Sequence, residues 1–170
     1  MAIATNYNIK QYLFAYTPVI LLFISVLNEI DFNYSGLKYF SFNFAYILIF
    51  YYNLKKSEGL GFGLVFIAGL LNDVVIGMPI GLSSLIYLLL CGAASYLRNI
   101  TLRPNLMKDC IFFLMTILTL NSLSFLILTF VFKYEINFLD QIINVGFTFL
   151  MYFIFWYIFN FFTKVLIGRY

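Results

Sequence analysis

Apolar residues run along this chain in six long blocks, separated by charged residues and by glycine and proline breaks. The blocks lie near residues 13–28, 39–54, 60–76, 80–97, 109–132 and 139–163. Crossing a hydrocarbon core about 30 Å thick takes about 20 helical residues, with a range of about 17 to 25. The last two blocks meet that length comfortably. The third and fourth are short and joined by a very tight turn, so they form either two crossings or one re-entrant hairpin. The pattern predicts six helices.

Composition sets these helices in a membrane. The chain is 64% hydrophobic and 10% charged over 170 residues, with a mean hydropathy of +0.97. A soluble domain is about 45 to 50% apolar and about 25% charged, and 170 residues folded in water have no interior large enough for this excess. No Pro-, Ser- or charge-rich linker divides the sequence, so residues 1–170 read as one integral membrane domain. The expected fold class is all-α, a polytopic transmembrane helical bundle of about six helices.

Charge placement orients the bundle. With a cytoplasmic N-terminus, the inner side holds Lys10, Lys55, Lys56, Arg98, Arg103, Lys108, Lys164 and Arg169, leaving Lys38 and Lys133 outside. Eight of ten basic residues on one side satisfies the positive-inside rule, and the reverse orientation inverts it. Both termini are therefore expected in the cytoplasm, and Glu29, Asp31, Glu135 and Asp140 fall at outer ends. The net charge of +3 follows from this orientation and suits contact with anionic lipid. No basic cluster is dense enough for nucleic acid. Lys10 ahead of the first block, with no small-residue cleavage site after it, reads as an uncleaved signal anchor of a bacterial inner membrane. Neither a myristoylation nor a prenylation pattern is present.

Little in the chain points to catalysis. It has no histidine, the commonest general base and metal ligand. Ser83 and Ser84 therefore lack a histidine partner, and no lysine lies at membrane depth for a Ser-Lys pair. Cys91 and Cys110 lack metal-ligand spacing and read as small buried thiols. No cofactor is implied. Gly59-Leu60-Gly61-Phe62-Gly63 lacks the Gly-Lys-Ser/Thr ending of a phosphate loop, and reads as the start of the third helix, with Gly59 and Gly63 spaced for close helix contact. The 22 Phe and 14 Tyr read as lipid-facing bulk and interfacial belts.

Polar residues inside the blocks discriminate more. Gly69, Asp73 and Gly77 share one face of the third helix, and Asp140, Asn144, Thr148 and Tyr152 share one face of the sixth, with Gln141 beside it. Asn121, Ser122 and Ser124 sit midway along the fifth, while Gly92, Ala93, Ala94 and Ser95 on the fourth permit close backbone approach. Such residues serve as packing surfaces and interhelical hydrogen bonds of about 0.6 kcal/mol each, or as a transport pathway. A stripe left exposed would equally dock a partner's membrane helix, and Asn144, Thr148 and Tyr152 are the candidates.

Asp73 is the most informative of these residues. A carboxyl group inside a membrane helix costs about 2.5 to 3.5 kcal/mol on insertion scales and needs a reason to be there. Pro79 suits the first turn of the fourth helix, whose free amides and positive dipole end would welcome a carboxylate. Asp73 then folds back across the Gly77–Gly81 turn and caps those amides. The alternative is a buried proton carrier, although no second acid or base lies nearby in sequence.

The run Gly69-Leu70-Leu71-Asn72-Asp73-Val74-Val75-Ile76-Gly77-Met78-Pro79-Ile80-Gly81-Leu82-Ser83-Ser84-Leu85 resembles the signature of the MreD family of bacterial rod shape-determining membrane proteins, in its alphaproteobacterial form. That signature is roughly Gly-Leu-x-x-Asp, a few residues, then Gly-x-Pro-Leu-Gly. Gly69, Asp73, Gly77, Pro79 and Gly81 occupy its fixed positions, and Ile80 stands where leucine is usual. Tyr51-Tyr52-Asn53-Leu54, Tyr96-Leu97-Arg98-Asn99 and Leu102-Arg103-Pro104 are also similar. Many relatives open their second span with Pro-Asp or Pro-Glu, whereas this chain has Ser41-Phe42-Asn43-Phe44.

The resemblance implies a non-catalytic component of the cell-elongation machinery in the inner membrane. Its implied partners are an MreC-like periplasmic scaffold and, through the complex, MreB filaments, RodA and its transpeptidase. It also implies a fold similar to the substrate-binding subunits of energy-coupling-factor vitamin transporters. Transport of a vitamin-type molecule is the rival function. Against it, the first helix lacks an Ala-x-x-x-Ala docking surface.

Overall fold

A computed structural model describes residues 16–27, 42–55, 60–101, 105–134 and 137–167. The described residues form six helices and no strand. They are α1 (Tyr16–Leu27), α2 (Phe44–Lys55), α3 (Phe62–Ile76), α4 (Leu82–Ile100), α5 (Leu106–Leu126, prolonged by a π-helical turn at Ile127–Val131) and α6 (Phe138–Ile167). Each predicted block contains one helix, with ends displaced by a few residues. Two helical stretches, Leu106–Val131 and Phe138–Phe162, are long and apolar enough to cross a membrane. The 15 residues of α3 span only about 22 Å at about 1.5 Å per residue.

The arrangement follows from which helices have an apolar surface on every side. The sequence of α2 is apolar all round, and its residues Ala45 to Asn53 are all buried, so it runs through the middle of the protein. α4 packs against α2, α3 and α5, while α6 lies on α2 and α5. α1 contributes Leu22 and Val26, one turn apart, to a core that draws on all six helices. Phe50 of α2, Phe113 of α5 and Tyr152 of α6 meet there, with ring centroids 4.9 Å (Phe50–Phe113), 4.3 Å (Phe113–Tyr152) and 5.8 Å (Phe50–Tyr152) apart. These three, with Tyr51 and Tyr87, are internal packing and correct the expectation that the aromatics are lipid-facing bulk. Phe130, Phe138, Tyr157, Phe161 and Phe162 do face outward.

The outer faces are as apolar as the core. On α3 only Val65, Ala68, Gly69 and Asp73 are buried, while Phe62, Phe66, Ile67, Val74 and Val75 are exposed. Only 28% of the apolar stretch of α5 and 22% of that of α6 is buried, which distinguishes both from the core helices of a water-soluble fold.

Two expected close approaches do not occur. A methyl group added at Gly63 or at Gly92 would meet nothing within 4 Å. Gly63 and Gly92 are exposed, and of Gly92, Ala93, Ala94 and Ser95 only Ala94 is buried. Gly59 lies outside the described residues.

Candidate functional site

The α3–α4 turn is organised by one residue. The backbone carbonyl of Asp73 accepts from the N–H of Gly77 and from that of Met78 at 3.0 Å, closing α3. Its side chain reaches across the turn: Oδ2 accepts from Gly81 N–H at 2.7 Å and Oδ1 from Ser83 N–H at 2.9 Å. These are amides at the start of α4 that have no partner within the helix, and the positive end of the helix dipole adds to their attraction. The capping geometry expected from sequence is therefore present, with Asp73 fully buried at 0% exposure.

The turn depends on two glycines. Gly77 has φ 73° and Gly81 φ 103°, in the left-handed region that side chains with a Cβ disfavour. Pro79 occupies a place other than the one expected. It lies in the turn, where its carbonyl accepts from Leu82 N–H at 3.2 Å, and the helix begins only at Leu82 because Gly81 is not helical.

Gly69 sets how closely α3 and α4 approach. A Cβ built on it would stand 2.4 Å from Ser84 Cα and 2.6 Å from Ser84 N, so the two backbones are in contact there. Beside this point Asn72 Nδ2 donates to Ser83 Oγ at 3.0 Å. Gly69, Asn72, Asp73, Gly77, Pro79 and Gly81 thus form one local unit. Ser84 Oγ is buried and has no hydrogen-bond partner among the described residues.

The stripe on α6 has a different fate from the one anticipated for docking. Thr148 (1% exposed) and Tyr152 (0%) are covered by the chain's own helices. Thr148 Oγ1 accepts from the backbone N–H of Asn43 at 3.0 Å and donates to Asn144 O at 2.7 Å, joining α6 to the start of α2. Tyr152 fills the aromatic core. Neither is open to a partner's helix, because inside an apolar envelope the polar stripe turns inward to find hydrogen-bonding groups.

Asn72 of α3 and Asn144 of α6 both line one cleft of about 550 Å³. Asn43 and Tyr46 from the start of α2, Ser83 of α4, Asn121 and Ser124 of α5, Tyr134 and Asn137 between α5 and α6, and Asp140 and Gln141 of α6 complete its polar lining, with Ile76, Ile86 and Leu128 between them. Leu128 belongs to the π-helical turn. Gln141 Nε2 donates to Asn121 O at 3.0 Å, and Asn121 Nδ2 to Ile117 O at 2.9 Å.

Sequence reasoning picked out Asn121, Ser124 and Gln141 but missed Asn43, whose Oδ1 accepts from Tyr46 N–H at 3.2 Å. An asparagine before an apolar helix is itself an N-cap signal. Asp109, in the first turn of α5 and buried, was also missed; its signal is an acid four residues after Asn105, which caps that helix by accepting from Met107 N–H.

At the far end of the bundle, cationic groups tie helices together. Arg98 Nη1 donates to Asn53 O at 2.9 Å, tying the end of α4 to α2. Lys55 Nζ donates to Asn160 Oδ1 at 3.1 Å and lies 5.5 Å from the Tyr51 ring and 5.3 Å from the Trp156 ring. Cys91 and Cys110 are free thiols, both buried.

Fold and site together define an all-helical protein with membrane-length helices, a carboxylate-capped helical turn and a polar cleft beside it. Compared with protein families, curated proteins and solved structures, the chain matches none.

Proposed function

We propose that this chain is a multi-pass inner-membrane component of the bacterial cell-elongation machinery, similar to MreD. On this reading it organises lateral peptidoglycan synthesis by helix contacts and carries out no catalysis. The observation that carries the reading is the α3–α4 turn. The residues of the signature, Gly69, Asp73, Gly77 and Gly81, hold two helices together, as befits a protein whose task is to keep a shape in lipid. The apolar outer faces of α3, α5 and α6 suit a surface dissolved in hydrocarbon.

The proposed topology puts the ends bearing Lys55, Arg98 and Lys108 in the cytoplasm, and the α3–α4 turn with the cleft toward the periplasm. Its partners are an MreC-like periplasmic scaffold and, indirectly, MreB filaments, RodA and its transpeptidase. Because the Thr148–Tyr152 stripe is internal, docking falls to the exposed helix faces and loops. Depletion in a rod-shaped host tests the reading: cells should round up, and tagged protein should co-purify with the periplasmic scaffold. Persistent rods on full depletion would refute it.

One observation favours a second reading, a substrate-binding subunit of a vitamin-type transporter. The polar cleft has a volume ordinary for a small-molecule site, about 300 to 1,000 Å³. The fold similarity to vitamin transporters implied by the resemblance belongs to this reading. A vitamin co-purifying with the protein, and rescue of depleted cells by added vitamin, would favour it over the first.

A further inference from the structure

We infer that the cleft between the α3–α4 turn and the facing ends of α5 and α6 binds a primary ammonium group. The inference stands on the chemistry of the lining and does not depend on the elongation reading.

The lining carries a carboxylate and several amide oxygens. Asn121 Nδ2 and Gln141 Nε2 both donate to backbone carbonyls, those of Ile117 and Asn121. A carbonyl has no proton to give, so neither amide can be turned round: each spends one of its two N–H groups on the protein and keeps its oxygen, with the second N–H, for something else. Asn72 Nδ2 is likewise engaged, with Ser83 Oγ. Asp140 adds a carboxylate on the exposed side, and no lysine or arginine lines the cleft among the described residues. An anionic ligand would meet the Asp140 carboxylate with no cationic side chain in the lining to balance it. The complement is a cation that donates several hydrogen bonds, and an ammonium group donates three.

Size and position narrow the ligand. About 550 Å³ is far more than a bare ion needs and fits a small organic molecule or a lipid headgroup. A quaternary ammonium has no N–H and is held by a cage of aromatic faces. Among the described residues only Tyr46 and Tyr134 offer rings here. Two sources supply a primary ammonium: the ethanolamine headgroup of a phospholipid, presented where the helices end, or a free amine from the aqueous side.

Thermal unfolding of the full chain, followed by Trp156 fluorescence, tests the inference. One arm titrates ethanolamine into protein in detergent, against choline and against sodium chloride at equal ionic strength. The other compares nanodiscs of phosphatidylethanolamine with nanodiscs of phosphatidylcholine. The midpoint should rise with ethanolamine in the first arm, in the second, or in both, and the arm that responds identifies the source. Asp140→Asn and Gln141→Leu should each weaken the response about tenfold, the size of one charge-assisted hydrogen bond. Asp140→Asn should keep the parent midpoint without ligand, and Gln141→Leu, which also loses the bond to Asn121 O, is judged by how far ethanolamine raises its own midpoint, which separates lost binding from lost folding. No rise in either arm overturns the inference, as does an equal rise with choline, phosphatidylcholine or sodium chloride. A response that survives both substitutions in variants that fold also overturns it.

Discussion

Gly69 and Ser84 touch backbone to backbone, so closely that one added carbon at position 69 would sit 2.4 Å from Ser84 Cα. The obstacle is main chain and has no rotamer to escape into. Gly69→Ala should therefore push α3 and α4 apart and cost about 1 to 3 kcal/mol, the range for overpacking. Gly63→Ala and Gly92→Ala, where there is open space, should leave the thermal midpoint in detergent almost unchanged. Equal midpoints for all three variants would mean that the contact is not tight.

Asp73 uses both carboxylate oxygens, one on Gly81 N–H and one on Ser83 N–H. Asn replaces one of these acceptors with a donor that faces another donor, so it should do worse than its shape suggests, yet better than Ala, which loses both. We expect Asp73→Asn to lose about 1 to 2 kcal/mol and Asp73→Ala about 2 to 4 kcal/mol, from charge-assisted hydrogen bonds of about 1.5 to 3 kcal/mol each. Activity in a cell-shape complementation assay should follow stability in that graded order. A stable Asn variant with no residual activity would instead point to a proton carrier.

The α6 stripe makes an accessibility prediction. In a chain with Cys91 and Cys110 replaced by alanine, cysteines at Leu150 (58% exposed) and Ile154 (51%) should react with a lipid-soluble maleimide. Thr148→Cys and Tyr152→Cys should not. Crosslinking of a partner through position 152 as readily as through 150 would contradict the buried placement. Thr148→Val, which leaves Asn43 N–H without its acceptor, should cost about 1 to 3 kcal/mol.

Arg98 fastens the other end of α4 to α2 through Asn53 O. Arg98→Ala should lower stability by about 1 kcal/mol, the net value of an ordinary hydrogen bond at a partly exposed site. A proteolysis assay should then show earlier cleavage near the α2–α3 connection, and an unchanged digestion pattern would argue against the tie.

What was legible in the sequence was local. The turn at residues 69–85 could be read because Asp73 and its two amide donors lie within ten residues of one another. The glycines at 77 and 81 also mark the left-handed backbone. Pro79 was misplaced for a physical reason: the rule that puts proline in a helix's first turn does not foresee that Gly81 delays the helix to Leu82. The α6 stripe shows the other limit. Its four-residue spacing identifies one face but not where that face points, and no neighbouring sequence announces that Thr148 meets Asn43, 105 residues away. When the surroundings are as apolar as the interior, the inside–outside contrast that orients a helix in water is lost. The cleft was hidden for the same reason, since its walls come from five helices and the segments that join them.

Because Asp73 ends one helix and begins the next, neither of the two is a complete object alone. A ribosome emitting α3 exposes a carboxylate whose acceptors stay empty until Gly81 and Ser83 have been added. In a bilayer, the first of the pair is then a poor passenger for the insertion machinery, and the second is its ticket: the two should slide into lipid together, as a closed hairpin.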